Sequence, residues 1–336
     1  MKNRRRIWMG IGASIGMIVL ILDAKTALSG ARDGIKLCTY TVIPSLFPFF
    51  LFSVLLNHIL LSGDFRFLHP LGKLTGIPTG AEPLLLIGLI GGYPVGAQCI
   101  SDAYRNKCIS RTDAHRMLGF CSNAGPAFIF GMGGCIFQRT EILWVLWAIH
   151  ILSALIVGAV LPAKSKGKCA PVVSKTITIT HALEKSIRTL ASVCGWIIIF
   201  RVIVAFLSRW CLWLTGDTEQ TLVTGLLELS NGCCALLNIP SDSARFVLCA
   251  TFLGFGGICV LMQTCSVTDG LGLGMYFPGK VMQATLSLLI SGLLQSIVFA
   301  RVDRWNGLPV YAIIAIAICV IVAFFARSKK RVEILC

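Results

Sequence analysis

The sequence predicts an all-α, polytopic membrane protein of about seven to nine helical passages, organised as two pseudo-repeats around Gly/Pro-broken or re-entrant helices. Three observations carry this reading. The 336 residues are 56% hydrophobic and only 13% charged, with a mean hydropathy of +0.81, against roughly 25% charged residues in soluble domains. Apolar runs close to the roughly 20 residues needed to cross a bilayer recur along the chain. Some of those runs are interrupted by glycine and proline, and in hydrocarbon the backbone groups freed there survive only against protein or a watery cavity.

The charge balance and the cysteines exclude other classes. The net charge of +15 is spread over clusters at segment ends: Lys2 with Arg4–Arg6, Arg105–Arg116, Lys164–Lys168 and Arg327–Arg331. No aromatic-interleaved patch suggests nucleic acid, and the positive-inside rule places these clusters, and both termini, in the cytoplasm of a cell membrane. The 15 cysteines lie mostly in or beside apolar runs and contain no C-x-x-C, so they read as buried small hydrophobes with no metal site. No H-E-x-x-H, Walker A or G-x-S-x-G sequence is present, so neither an enzyme nor a bound cofactor is expected.

In chain order, Ile7–Leu22 is an apolar first span behind an arginine cluster, without a convincing cleavage site. Gly30–Cys38 is mixed and expected at the interface. Tyr40–Leu61 is a second span, kinked by Pro44 and Pro48, with Asn57 and His58 at its far end. Ser62–Glu82 reads as a Gly/Pro-rich loop. From Pro83 an apolar strip runs into Gly91-Gly92-Tyr93-Pro94, where adjacent glycines and a proline oppose a continuous helix. Ser101–Met117 is expected as a short cytoplasmic helix with Ser110 as an N-cap. Leu118–Phe137 is expected to be interrupted at Ser122–Pro126 and again at Gly131–Gly134, and Glu141–Leu161 is a clean span.

The hydrophilic stretch that follows divides the chain. Residues 1–162 are the N-terminal membrane half with the first broken segment, 163–189 a basic cytoplasmic linker and lead helix, and 190–336 the C-terminal half with the second broken segment. Leu190–Leu214 is a span whose Arg201 must pair, snorkel or face the bundle. Gly216–Gln220 is an outer loop. Leu222–Leu237 carries Glu228 and Asn231, Phe246–Gln263 is broken at Gly254-Phe255-Gly256-Gly257, and Tyr276–Ala300 and Leu308–Ala326 close the chain.

Gly91-Gly92 stands as far before Gln98 as Gly256-Gly257 does before Gln263. Broken segments that recur in two halves point to a solute site. The candidate solute-binding or gating set is therefore Gly91, Gly92, Tyr93, Pro94, Gln98, Asn123, Glu228, Asn231, Gly256, Gly257 and Gln263. The amides suit a small polar solute such as a heterocycle or sugar. Glu228 is the most deeply placed acid, fit for coupling or contact, and Tyr93 is either a lid or an interfacial anchor. The competing reading is that these amides bond between helices and satisfy broken backbone.

Gly92-Tyr93-Pro94-Val95-Gly96-Ala97, Phe120–Ile129, Leu226–Gly232 and Gly254–Gly257 together resemble the sporulation integral membrane protein YlbJ family of endospore-forming bacteria, over roughly Ala31 to Leu294. Gln98 departs from it, standing where a basic residue is expected. The resemblance implies the wider group of nucleoside-recognition, or Gate, domain proteins. It implies a membrane protein of spore maturation or the spore envelope that binds or transports a nucleoside-like metabolite. The alternative is a non-transporting membrane scaffold for spore-envelope or channel assembly. Partners under these readings are the lipid bilayer, the solute, and a second copy or other sporulation membrane proteins.

Overall fold

A computed structural model describes residues 2–62, 65–162, 167–169, 178–211, 216–268 and 270–301. The closing span expected at Leu308–Ala326 and most of the linker lie outside the described residues, as does the side chain of His58. The described residues are helical throughout, and five helical runs are long and apolar enough to cross a membrane: Ala24–Leu56, Thr140–Val160, Ile179–Trp210, Asp242–Val267 and Tyr276–Phe299.

Helix α1 (Lys2–Leu22) leads to Asp23, whose side chain caps α2 (Ala24–Leu37) by accepting from Thr26 N–H. A π-turn (Cys38–Val42) joins α2 to α3 (Ile43–Ser62). The turn widens just where Pro44 has no N–H to return to the preceding turn, and α3 runs on through Pro48. Gly30–Cys38 is helical and leads through the π-turn into α3, within a 33-residue run, Ala24–Leu56, long and apolar enough to cross a membrane. The polar residues of α2 are accommodated against α10 (Ile179–Trp210): Gly30 and Gly34 admit its backbone closely, and Asp33 lies 3.6 Å from Arg201. Arg201 thus pairs, one of the outcomes its position required.

After α3, the expected loop folds further into a 3₁₀ turn (Arg66–Leu68) and α4 (His69–Thr75). Helices α5 (Glu82–Ile90) and α6 (Val95–Arg105) follow on either side of the Gly91–Pro94 break. The polar stretch after them is not one helix. Its first part completes α6, the chain reverses at Asn106–Ile109 with Lys107 at φ 59°, and α7 (Arg111–Leu118) begins at the expected Ser110 cap. Next come α8 (Pro126–Ile136) and α9 (Thr140–Val160). The second interruption expected at Gly131–Gly134 is not seen, since one helix runs from Pro126 to Ile136. The second half consists of α10, α11 (Asp217–Leu227), α12 (Leu229–Ala235), α13 (Asp242–Phe255), α14 (Gly257–Val267) and α15 (Tyr276–Arg301). The acidic stretch expected as an outer loop is the first turn of α11, where Asp217 and Glu219 suit a helix N-terminus.

In each half a long helix (α2–α3, then α10) precedes two interrupted pairs (α5/α6 and α7/α8, then α11/α12 and α13/α14) and an unbroken helix (α9, then α15), while α1 and α4 have no counterpart among the described residues of the second half. The first pair of each half folds back on itself as a hairpin, and glycines make the fold-back fit. An added Cβ on Gly96 would come within 2.9 Å of Gly88 Cα, and one on Gly232 would collide with Gly225 Cα. Hairpin arms of 9 and 11 residues in α5 and α6 reach about 14–16 Å, half of a hydrocarbon core of about 30 Å.

The hairpins enter from opposite ends. Lys185, in the second turn of α10, pairs with Asp102 near the end of α6. From Lys185, α10 continues to Trp210, about 39 Å further at 1.5 Å per residue, before α11 starts. The lead helices pack along one another, and α9 and α15 meet at a Ser287 Oγ–Ser153 Oγ hydrogen bond of 3.0 Å. The two hairpin tips lie between these layers.

Candidate functional site

The tip of the first hairpin is set by Gly92, at φ 80°, and a cis Tyr93–Pro94 peptide. Val95 N–H closes the turn onto Gly92 O at 2.9 Å. Tyr93 is buried, and its hydroxyl donates to Leu253 O at 3.3 Å. That acceptor exists because Gly256, at φ 82°, ends α13 after its N–H has bonded Phe252 O, which strands the Leu253 carbonyl. Gly256 also leaves room for the ring, since a Cβ there would stand 3.3 Å from Tyr93 Cζ. The first half's tip therefore satisfies the second half's broken helix.

Glu228 forms the tip of the second hairpin and caps α12. Its carboxylate accepts from Ser230 N–H at 3.0 Å and Asn231 N–H at 2.7 Å, and the residue is 1% exposed. A carboxylate so placed satisfies two orphan amides and complements the helix dipole. Between the tips lies a cavity of about 30 Å³ whose polar wall is Glu228, Ser230 and Gln263, with Gly92, Tyr93, Ala124 and apolar side chains of α3, α8 and α10 closing it.

Against the other side of Tyr93 is a buried cation. Lys280, one turn into α15 and 1% exposed, donates to Gln283 Oε1 at 2.6 Å and Asn123 Oδ1 at 3.2 Å. Gln283 Nε2 donates to Asn123 Oδ1 at 3.0 Å and His150 O at 3.3 Å. Asn123 Nδ2 in turn bonds Phe120 O, and Ala124 N–H donates to His150 Nε2 at 3.0 Å. The ammonium also stands 5.0 Å from the ring centroid of Tyr93 and 5.9 Å from that of Tyr276. No described carboxylate pairs with it. A lone ammonium inside a membrane span is costly, and such residues mark functional sites.

The structure distributes the sequence-derived set unevenly. Gly92, Tyr93, Glu228 and Gln263 border the cavity, with Gly91 and Pro94 in the same tip and Gly256 and Gly257 beside it. Asn123 belongs to the lysine cluster. Asn231 is buried next to Glu228, its Nδ2 without an acceptor among the described residues. Gln98 lies apart, with its Oε1 accepting from Thr189 Oγ1 on α10 at 3.3 Å. The spacing match between Gly91–Gln98 and Gly256–Gln263 does not survive in three dimensions: Gly91 is on a hairpin tip, whereas Gly256 sits in a passage that continues onward. By element order the counterpart of Gly91–Pro94 is Glu228, and that of Ser122–Gly125 is Gly256. Lys280, Gln283 and His150 were missed. The available signal was a lysine and a histidine inside otherwise apolar spans of 24 and 21 residues.

Comparison with known proteins gives one curated relative. Over 299 residues the chain is 24% identical to the sporulation integral membrane protein YlbJ of Bacillus subtilis (strain 168), covering 74% of this chain and 72% of that protein. The resemblance read from the motifs is borne out by this match. No family model and no solved structure matches.

Proposed function

We propose that this chain, a relative of the YlbJ family, is an integral membrane protein of bacterial sporulation that binds a small polar solute with a negatively charged group between its two halves and carries it across the membrane. The observation that carries this reading is Lys280: a buried ammonium with two neutral amide oxygens and, among the described residues, no acid, placed beside the meeting point of two half-length hairpins. Hairpins that enter from opposite ends with the same element order support an inverted-repeat carrier, whose solute site lies at the interface of the repeats. The amides of Asn123, Gln283 and Gln263 supply neutral donors and acceptors for the remainder of the solute. Lys280 moves the expected chemistry from a neutral heterocycle or sugar towards an anion, for which the ammonium is the missing counter-charge.

The test is thermal unfolding of the full chain in nanodiscs against inorganic phosphate, simple carboxylates, nucleotides and, as neutral controls, nucleosides. An anionic compound should raise the midpoint of the wild type and leave Lys280→Met unmoved. Stabilisation by nucleosides alone, or an anion response that persists in Lys280→Met, overturns the reading.

A further inference from the structure

The cavity between the tips is about 30 Å³, room for a water or two, whereas pockets that hold metabolite-sized ligands run to roughly 300–1,000 Å³. The described conformation is therefore closed to any organic solute. The residue that closes it is identifiable. Tyr93 lines the cavity, while Lys280 does not, and the ammonium lies 5.0 Å from the centroid of the Tyr93 ring. The ring is thus the wall between the cavity and the Lys280–Asn123–Gln283 cluster. Among the described residues its one hydrogen bond to the second half is the hydroxyl on Leu253 O, beside the cation–π contact with Lys280, and its seat is open because residue 256 has no side chain.

We infer that Tyr93 is the gate of the solute site, latched on the broken end of α13. With the hydroxyl on Leu253 O the first hairpin tip is shut and the site is split into two parts too small for a solute. With that bond broken the tip withdraws, the ring leaves the seat at Gly256, and the cavity and the lysine cluster become one chamber. That chamber has Lys280 on one wall and Glu228 and Gln263 on the other. Helix α13 supplies the latch acceptor only because it is broken, so the latch and the break are one device. The inference rests on the cavity being a solute site, but its test needs no solute.

Cys259 is the reporter. It is fully buried on α14, and Gln263, a cavity residue, donates to its Sγ at 3.3 Å. The full chain in nanodiscs is exposed to N-ethylmaleimide, and labelling is read thiol by thiol by mass spectrometry. Buried Cys108, at the chain reversal after α6 and away from the tip, serves as the reference for general loosening. Tyr93→Phe, which keeps the ring and removes the latch, should raise Cys259 labelling by about fivefold, the worth of one net hydrogen bond. Tyr93→Leu should raise it further and expose Lys280 to a small amine-acylating reagent. Unchanged Cys259 labelling in both variants overturns the gate, as does a parallel rise at Cys108. Should the anion panel fail while Cys259 responds, the solute reading falls and the gate stands.

Discussion

Replacing Lys280 with methionine separates a residue kept for function from one kept for stability. Methionine is close in length and carries no charge. The wild type bears the cost of a buried, unpaired ammonium, several kcal/mol in proteins. Against that stand two charge-assisted hydrogen bonds, to Gln283 Oε1 and Asn123 Oδ1, at about 1.5–3 kcal/mol each. Two aromatic faces add about 1 kcal/mol. These nearly cancel. In the variant, Asn123 Oδ1 keeps Gln283 Nε2 as a donor, while Gln283 Oε1 loses the Lys280 donor, at about 1–3 kcal/mol. Lys280→Met should therefore change the unfolding free energy by no more than about 2 kcal/mol, in either direction. Anion-dependent stabilisation should disappear altogether. Unfolding in nanodiscs, followed by tryptophan fluorescence with and without phosphate or carboxylate, measures both quantities. A much larger destabilisation with retained anion response would make Lys280 a structural residue and refute the reasoning.

The remaining expectations concern the scaffold. Arg116 is 2% exposed and donates to the carbonyls of Thr75, Gly76, Gly158 and Pro162, fastening the ends of α4 and α9 to α7. Arg116→Met should cost about 3 kcal/mol in the same unfolding assay, and an unchanged midpoint would contradict the staple. Gly232→Ala should open the second hairpin at its crossing with Gly225, with a loss of roughly 2 kcal/mol or more, read as faster hydrogen exchange across α11 and α12. Glu228→Gln keeps one acceptor but loses the charged cap, and should cost about 1 kcal/mol, most visibly as exchange at Ser230 and Asn231.

Much of this molecule was written locally. The membrane class follows from hydropathy, because only helices and closed barrels satisfy backbone groups in hydrocarbon. Ser110 and Pro44 act on their own turn, so the cap and the place of the irregular turn were legible. So were the breaks at Gly91–Pro94, Ser122–Pro126 and Gly256, where glycine and proline weaken a helix locally, although α3 runs through Pro48 and α8 through Gly131–Gly134. What a break does next was not legible. The same loss of helix turns the chain back at Gly91 and lets it continue at Gly256, because the outcome depends on whether the following arm finds a glycine surface to fold against, as α6 does at Gly88. The pairing of Gly91–Gln98 with Gly256–Gln263 failed for that reason: a spacing along the chain does not carry direction.

Glu228 stood out as an intramembrane acid, yet that its first duty is to cap α12 is visible only once the turn at 228 is made. Lys280 was on the page as a lysine inside an apolar span. That it faces Asn123, Gln283 and Tyr93 and meets no carboxylate among the described residues depends on residues up to 187 positions away, counting from Tyr93. The sequence by itself determined that the chain enters a membrane and where its helices must break, because both are matters of one residue and its nearest turn. Only the tertiary structure decided which breaks meet and what charge they enclose, because burial and pairing belong to residues that the chain brings together from both halves.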